Sequence, residues 1–198
     1  MSAFEAILGQ PGAVRTLERA VETGRVASAY LFEGPGGVGK RATALELAAA
    51  LVGAGEPRQR ERVRSGRHPD VRIFEPRQEG ARNIQVEFLR EEVLPFAQFA
   101  PFEAPAAFLV FPEADVSFPE THPEAANALL KPLEEPRRGV HFVLTSERPD
   151  RLLPTIRSRC QRLRFHRLPR DVLDRILESH GVEAPRREEA VALAGGRA

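Results

Sequence analysis

A glycine-rich segment at residues 34–41 most narrows what this chain can fold into. It reads Gly-Pro-Gly-Gly-Val-Gly-Lys-Arg and follows a short apolar run at residues 30–32, which is the order of a strand, a phosphate-binding loop and a helix. Glycines let the backbone take positive φ and approach a phosphate closely, and the N-terminus of the helix adds partial positive charge. The candidate anion-binding residues are the loop glycines and the lysine at the helix start: Gly34, Gly36, Gly37, Gly39 and Lys40.

The last position of this loop departs from the phosphate-binding pattern. Seven of the eight positions fit G-x-x-x-x-G-K-[ST], but Arg41 stands where a Ser or Thr hydroxyl would hold Mg²⁺. A guanidinium has no oxygen with which to ligate a metal, and its charge repels one. The sequence therefore predicts a nucleotide-binding fold that has lost its own hydrolysis.

The strand predicted at residues 106–111 ends in a second departure. Its uninterrupted apolar run is typical of a central parallel strand that is covered on both faces. In phosphate-loop proteins the equivalent strand normally ends in an Asp that helps to hold Mg²⁺, followed in many by a Glu that polarises the attacking water. Here the first position is Pro112, which has no ligand atom, and Glu113 follows it. We therefore predict no metal site.

Apolar spacing along the chain alternates between helical and extended patterns. We predict helices at residues 11–23, 41–52, 86–94, 124–134, 152–159, 169–179 and 187–194, and strands at residues 29–33, 71–74, 106–111, 140–145 and 163–165. Pro95 should stop the third helix, and Pro132 should kink the fourth or end it early. The Arg-rich residues 55–67 are predicted as an exposed loop, and we favour a solvated surface over a DNA contact there.

This alternation predicts the fold class. Strands alternating with helices, with a phosphate loop after the first strand, indicate an α/β protein with three layers around a mostly parallel central sheet. Ligands of such sheets bind beyond the carboxyl ends of the strands. The apolar, turn-like residues 7–10 would either lie against an adenine ring or only cover the core.

The composition excludes several classes of protein. A net charge of +1 gives no overall electrostatic argument for a nucleic-acid partner. The single Cys160 excludes a disulfide framework within the chain and a multi-cysteine zinc site, and we predict a small buried hydrophobe rather than a nucleophile. No apolar run approaches the roughly 20 residues that span a bilayer, and residues 1–10 lack a basic-then-apolar signal pattern. We expect a cytosolic protein with no membrane association.

Several longer motifs resemble the bacterial replicative clamp loader, an AAA+ assembly of the DNA polymerase III holoenzyme. The resemblance is most specific in Asn-Ala-Leu-Leu-Lys-Pro-Leu-Glu-Glu-Pro at residues 127–136 and Thr-Ile-Arg-Ser-Arg-Cys at residues 155–160. The phosphate loop, residues 29–32 and the Arg-His-Pro-Asp-Val segment at residues 67–71 agree with it. The resemblance covers nearly the whole chain.

The resemblance implies a division of the chain and a choice of subunit. It implies an AAA+ nucleotide-binding core at residues 1–167 and the beginning of a helical lid at residues 168–198, with the family's C-terminal collar domain absent. In this family the gamma/tau subunit hydrolyses ATP, whereas the delta-prime subunit resembles it but commonly does not. Arg41 and Pro112 each remove a Mg²⁺ contact, so we expect the delta-prime type, with a gamma/tau-type ATPase as the alternative.

The same resemblance assigns roles to polar residues. In this family the Arg of Ser-Arg-Cys, here Arg159, is an arginine finger that reaches the γ-phosphate of ATP bound to the neighbouring subunit. A permanently charged, forked donor suits that task. The alternative is a structural arginine paired with a local carboxylate.

Thr145 and Ser146 lie where AAA+ proteins place a polar sensor. The alternative is that both are ordinary polar residues of the core.

Cofactor and partner predictions follow from the resemblance. The implied partners are the gamma/tau and delta subunits and, through the assembled complex, the sliding clamp and primer-template DNA. Relatives often carry four zinc-binding cysteines before the His-Pro-Asp segment, but residues 53–66 contain none, so we predict no zinc. No cofactor is required, although Lys40 and the loop glycines leave weak nucleotide or phosphate binding without Mg²⁺ open.

Two competing functions remain. An authentic AAA+ ATPase would tolerate Arg41 by recruiting Glu113 or Asp115 as a metal ligand, and it would then bind ATP in a Mg²⁺-dependent way. A DNA-reading regulator of AAA+ type is disfavoured because the sequence shows no groove-reading helix motif.

Overall fold

Five parallel strands form the central sheet of the protein. The computed structural model describes residues 3–53, 56–75 and 83–198. The strands lie in the order β2-β3-β4-β1-β5, and all four neighbouring pairs are parallel. Their bounds are β1 (Ala29–Glu33), β2 (Val71–Ile73), β3 (Ala107–Phe111), β4 (Val140–Ser146) and β5 (Gln161–Arg164). The predicted parallel α/β sheet is confirmed.

Ten α-helical segments connect and cover the strands within the described ranges. They are α1 (Pro11–Glu22), α2 (Lys40–Val52), α3 (Pro57–Arg64), α4 (Val86–Phe88), α5 (Leu94–Gln98), α6 (Ala114–Ser117), α7 (Pro123–Glu134), α8 (Pro154–Arg157), α9 (Arg170–Ser179) and α10 (Ala184–Ala194). A π-helical turn at Leu89–Val93 joins α4 to α5, and a 3₁₀ turn at Pro149–Arg151 precedes α8. The predicted helices are therefore present, although α8 is shorter than expected and α10 begins earlier.

Alternate side chains of the strands point to two separate hydrophobic layers. On one face Leu31, Leu109 and Phe142 pack with the helices from α4 to α8. On the other face Tyr30 and Phe108 pack with α1, α2 and α3. Both faces of the sheet are thus buried, as a parallel sheet requires, and the carboxyl ends of its strands are left to form a site.

The segment at residues 55–67 is mostly exposed, as predicted, but most of it is a helix rather than a loop. Residue 55 lies outside the described residues, and α3 occupies Pro57–Arg64. Glu46 of α2 is buried, and it accepts two hydrogen bonds from the Arg64 guanidinium at 2.7 and 2.9 Å. Val63 is fully buried beneath the helix. Arg64 thus fastens α3 to α2 through a carboxylate that lies outside the segment.

Two helices continue past a proline that was expected to end them. Pro95 does not stop the helical run, which continues to Gln98. The π-helical turn directly before it loosens the backbone where a proline ring would otherwise press on the preceding turn. Pro132 does not end α7 early, since that helix continues to Glu134.

The last two helices pack on each other. Leu168, Leu173 and Val191 form a small buried cluster of their own, separate from the two layers around the sheet. The backbone N–H of Leu168 donates to Gly196 O at 2.9 Å, which closes this helical pair. Among the residues that the model describes, no helix is both long and apolar enough to cross a membrane.

Candidate phosphate-loop site

The glycine-rich loop connects β1 to α2 at the carboxyl edge of the sheet. Gly37 and Gly39 have φ of 66° and 94°, which L-residues with side chains rarely adopt. A Cβ on Gly34 would lie 2.3 Å from the carbonyl oxygen of Phe165, so this position requires glycine for space as well. The backbone N–H of Gly34 donates to Ser146 O at 3.1 Å. The loop therefore has the conformation that its glycines predicted.

Lys40 is buried at the start of α2, and its ammonium bonds to its own loop. Its Nζ donates to the carbonyl oxygens of Gly34 and Pro35 at 2.6 and 2.5 Å. Burial lowers the pKa of Lys40, while the carboxylates of Glu147, Asp115 and Glu113 act in the opposite direction. The ammonium is thus satisfied by backbone carbonyls and surrounded by carboxylates.

A cleft of about 230 Å³ opens over the loop. Its walls bring together residues at or beyond the carboxyl ends of four strands, β1 to β4: Gly36, Gly37, Gly39, Lys40, Arg41, Ala42, Glu75, Pro112, Glu113, Thr145 and Glu147. Both departures from the phosphate-binding pattern, Arg41 and Pro112, line this same cleft. The structure therefore brings together four of the five loop residues predicted to bind an anion and the two residues predicted to exclude a metal.

Arg41 has a carboxylate partner across the cleft. Its Nη1 lies 2.8 Å from Oε1 of Glu75, directly after β2, and both side chains are about half exposed. Position 41, at which a hydroxyl would hold a metal, is thus occupied by a residue that forms an ion pair. Among the described residues, no group of three or more His, Cys, Asp or Glu side chains is arranged to hold a metal ion.

Glu113 follows Pro112 in a strained backbone conformation. Its φ and ψ are both 50°, and it is the one non-glycine residue with positive φ in the described part of the chain. Such a conformation costs on the order of 1–2 kcal/mol. Its N–H donates to Thr145 Oγ1 at 3.3 Å. Asp115, two residues further on, is buried and accepts the N–H of Glu147 at 3.2 Å.

The two candidate sensor residues are both buried at the end of β4. Thr145 lines the cleft and accepts the Glu113 N–H, so it connects the ends of β3 and β4. Ser146 Oγ accepts the N–H of Arg148 at 3.1 Å, and its carbonyl oxygen accepts the N–H of Gly34. These bonds give both residues a structural use, while Thr145 alone faces the cleft.

Arg159 lies away from the cleft, between α8 and β5. Its guanidinium donates to Thr155 O at 2.8 Å and forms an ion pair with Glu134 at the end of α7. Its side chain is 29% exposed. Within this chain Arg159 therefore has the local carboxylate partner that a structural role requires, and it keeps an exposed edge.

The neighbouring Cys160 is buried, as the sequence predicted. Burial raises the pKa of its thiol to about 12. A thiol with that pKa carries almost no thiolate at neutral pH and is a poor nucleophile.

Gln10 is a positioning residue that sequence reasoning did not identify. Its side chain is buried, and its Nε2 donates to Val38 O at 3.1 Å and to His166 O at 2.7 Å. Its Oε1 accepts the His166 N–H at 3.0 Å. Gln10 thus joins the phosphate loop to the segment that leads into α9. Ile7, in the same segment that was expected to contact an adenine ring or to cover the core, packs against the core. A second link is the N–H of Ala198, which donates to Gly37 O at 2.5 Å.

His68 and Asp70 form a second polar centre that the sequence did not explain. The Asp70 carboxylate is buried and accepts the backbone N–H groups of Phe102, Glu103 and Ala104, the latter two at 2.9 Å. His68 Nδ1 accepts the Asp70 N–H at 3.1 Å, and its Nε2 lies 3.2 Å from Glu103. This centre fixes the segment that enters β3. The His-Pro-Asp motif was the signal in the sequence for this centre, but a motif alone does not show which distant residues its side chains contact.

The sheet order and the phosphate loop at its carboxyl edge define an α/β protein of the AAA+ kind. The chain belongs to the family described as DNA polymerase III, delta subunit, whose model matches residues 9–169. It is 38% identical over 177 residues to "DNA polymerase III subunit delta'" of Bacillus subtilis, covering 85% of this chain and 51% of that protein. It is 37% identical over 182 residues to the protein of the same name from Pseudomonas aeruginosa, covering 86% and 53%.

A relative named as the tau subunit is also similar. The "DNA polymerase III subunit tau" of Escherichia coli is 34% identical over 206 residues, which cover 96% of this chain and 30% of that protein. This chain spans about half the length of the delta' relatives it matches. The resemblance to the clamp loader that the motifs predicted is thereby confirmed.

Solved structures support the fold. A crystal structure of a DNA polymerase III gamma subunit-related protein from Thermotoga maritima aligns with a TM-score of 0.62 and 25% identity, covering 91% of this chain and 58% of that one. A RuvB mutant of Thermotoga maritima aligns with the same TM-score of 0.62 at 15% identity, covering 90% and 53%. The second likeness concerns the fold alone.

Proposed function

We propose that this chain acts as a delta-prime-type subunit of a bacterial clamp loader that does not hydrolyse ATP itself. In this role it presents Arg159 to ATP bound by a neighbouring gamma/tau subunit. With gamma/tau and delta subunits it helps to load the sliding clamp on primed DNA in the cytoplasm. It requires neither zinc nor Mg²⁺, and residues 168–198 act as the beginning of a helical lid on the core at residues 1–167.

The observation that carries this proposal is the chemistry of the cleft. Arg41 and Pro112 stand at the two positions from which a phosphate-loop protein offers oxygens to Mg²⁺. Arg41 is instead engaged with Glu75, and Pro112 has no side-chain donor or acceptor. Without a metal bridging the β- and γ-phosphates, the developing charge of phosphoryl transfer has no main stabiliser. A subunit with this cleft contributes to hydrolysis only through its neighbours.

The surroundings of Arg159 support a role outside its own cleft. The guanidinium belongs to a different edge of the molecule from Lys40 and keeps an exposed part. Its ion pair with Glu134 is on the protein surface, where such pairs are weak and exchange readily for a stronger anion. A triphosphate on an adjoining subunit is an anion of that kind.

The first test is hydrolysis by the purified chain alone. We expect no Mg²⁺-dependent ATP turnover above background. Turnover that disappears in Lys40→Ala would contradict the absence of intrinsic hydrolysis, because that variant separates activity of this loop from a contaminating ATPase.

The second test uses the assembled complex that contains the full-length subunit. Arginine fingers supplied in trans are worth roughly 10³ to 10⁵ in rate, so Arg159→Ala should remove the turnover of the adjoining site and lower total ATPase. Arg157→Ala, two residues earlier, is the matched control and should leave the rate unchanged. Complex ATPase that is equal in the Arg159 variant and in the unmodified complex would contradict the finger role.

The alternative function is a gamma/tau-type ATPase. The strained Glu113 beside the cleft favours it, because backbone strain often accompanies a catalytic residue. Asp115, the other replacement ligand considered, is already bonded to the Glu147 N–H. Calorimetric titration with ATP, with and without Mg²⁺, separates the two functions: tight metal-dependent binding supports the ATPase, and weak metal-independent binding supports the scaffold.

A further inference from the structure

The carboxylate of Glu147 lies directly against the phosphate loop. A Cβ placed on Gly36 would lie 2.3 Å from Glu147 Oε1 and 3.1 Å from its Cδ. The absence of a side chain at Gly36 therefore leaves the space that this carboxylate occupies. A phosphate approaching the loop from that side would meet a negative charge.

The backbone at the end of β4 holds Glu147 in this position. The N–H of Glu147 donates to the buried Asp115, and the preceding Ser146 carbonyl accepts the N–H of Gly34. These bonds connect the backbone at residues 146 and 147 to the segment after β3 and to the first residue of the loop. The backbone of Glu147 is thus fixed beside the loop, and its exposed side chain reaches Gly36 from there.

Glu147 also interacts with the lysine of the loop more than the other cleft carboxylates do. Three carboxylates counter the effect of burial on the Lys40 ammonium, and Glu147 makes the largest contribution, before Asp115 and Glu113. A bound phosphate and Glu147 would compete for the same positive charge. Glu147 therefore places a negative charge beside the loop on its Gly36 side.

We propose that Glu147 is a selectivity-determining residue of the phosphate loop, an internal anion that lowers the affinity of the loop for metal-free phosphate groups. The inference deepens the proposed function, on which it rests, because it names what keeps the anion site of a non-hydrolysing subunit weak. Arg41 and Pro112 act on the metal, whereas Glu147 acts on the phosphate itself. The ligand class concerned is the diphosphate group of a nucleotide without Mg²⁺.

The test is calorimetric titration of the purified chain with ADP in the presence of EDTA. Glu147→Gln removes the charge and keeps the size of the side chain, and it should tighten ADP binding by about tenfold or more, as expected for the loss of one close unit charge. Glu113→Gln is the matched control, because it removes a carboxylate from the same cleft that is not the one against Gly36. It should tighten binding by less than about threefold.

A third variant separates contact from charge. Glu147→Asp keeps the charge but shortens the side chain by one methylene, which withdraws the carboxylate from Gly36, so its affinity should fall between those of the unmodified chain and Glu147→Gln. If Glu147→Gln lowers the melting temperature, the ADP affinity of Glu147→Asp is compared with that of the unmodified chain instead, and tighter binding by Glu147→Asp supports the proposal.

Two results would overturn the proposal. One is equal ADP affinity in the Glu147→Gln and Glu113→Gln variants, and the other is no measurable binding in any variant. Because the titration needs no partner subunit, its failure leaves the Arg159 experiment in the complex unaffected, and the two proposals can fail independently.

Discussion

Arg41 and Glu75 form an ion pair with an Nη1 to Oε1 distance of 2.8 Å, which joins the start of α2 to the end of β2 across the mouth of the phosphate loop. The pair connects two segments that follow different strands of the sheet. It also places a positive charge where the phosphate-loop pattern has the Ser or Thr that holds Mg²⁺. Glu75 is therefore a partner of Arg41 rather than a free metal ligand.

Restoring the metal ligands should restore metal dependence. In the double variant Arg41→Thr with Pro112→Asp, we expect Mg²⁺ to tighten ATP binding by about tenfold or more, a gain of about 1.4 kcal/mol. The control is Arg41→Lys with Pro112→Asp, which keeps a cation and no oxygen ligand at position 41. Its ATP binding should stay insensitive to Mg²⁺. Calorimetric titration checks both. An unchanged double variant would show that some other feature prevents metal binding.

Weakening the surface partner of Arg159 should favour its use by a neighbour. Glu134→Gln removes the carboxylate that this guanidinium now contacts. Because surface ion pairs contribute little, we expect the ATPase of the assembled complex to rise by no more than about fivefold. Glu135→Gln is the matched control, one residue along the same surface, and should have no effect. A fall in ATPase with Glu134→Gln would mean that Glu134 positions Arg159 for its task.

The Asp70 carboxylate should be important for stability. Asp70→Asn replaces an acceptor of three backbone N–H groups by a group with only one acceptor oxygen. Charge-assisted hydrogen bonds at buried sites predict a loss of about 2–3 kcal/mol in the free energy of unfolding. Chemical denaturation measures this loss, and the exposed Asp150→Asn should change it by less than about 0.5 kcal/mol. Equal midpoints for the two variants would refute the role given to Asp70.

Gln10 should connect the phosphate loop to the segment that leads into α9 and α10. Gln10→Glu keeps the acceptor for the His166 N–H but directs carboxylate oxygens at the carbonyls of Val38 and His166. Loss of two buried donors predicts a decrease of about 2 kcal/mol in stability. Hydrogen exchange provides the specific readout, because amides of α9 and α10 should exchange faster than those of β3. Uniform acceleration across the chain would argue against a local link.

Stability should decrease as the pH falls below neutrality because of His68. Burial lowers the pKa of His68, with Glu103 and Asp70 opposing this effect and Arg62 reinforcing it. The folded state therefore binds fewer protons than the unfolded state below about pH 6.5, the ordinary pKa of histidine. Its stabilising contribution is complete above that pH and is lost as the pH falls toward the lowered pKa of the folded state.

The magnitude of the pH effect follows from the number of protons. One histidine contributes at most about 1.4 kcal/mol per pH unit to the slope of stability against pH. Burial lowers the pKa of His141 as well, so His68→Gln should reduce the slope and a double variant with His141→Gln should reduce it further. Urea denaturation between pH 5 and 7 provides the measurement. A slope that is unchanged in both variants would exclude the histidines as its source.

The sequence predicted the structure well where a feature depends on residues adjacent in the chain. The phosphate loop and the strands of the sheet follow from local chemistry and spacing, and Arg41 and Pro112 line the same cleft. The sequence was misleading where a local structure depends on a contact with a residue outside the segment. Helix α3 is fastened to α2 by the bond of Arg64 to Glu46, and no pattern within residues 57–64 contains that carboxylate.

The polar contacts of the site were the least predictable part. Gln10 bonds to His166, 156 residues later in the chain, and Glu147 reaches Gly36 only because parallel strands bring their ends together. Such pairs depend on the completed sheet. A single sequence can name the residue types that suit a site, but it does not show which distant side chains occupy the same space.

The bonds of Lys40 to the Gly34 and Pro35 carbonyls have a consequence for an anion that approaches the loop. Because both carbonyls accept from the same ammonium, the lysine side chain links two residues of its own loop and restrains the turn between them. An anion attracted to Lys40 must share the ammonium with these carbonyls or displace them. The loop therefore competes with its own ligand for the charge that would bind it.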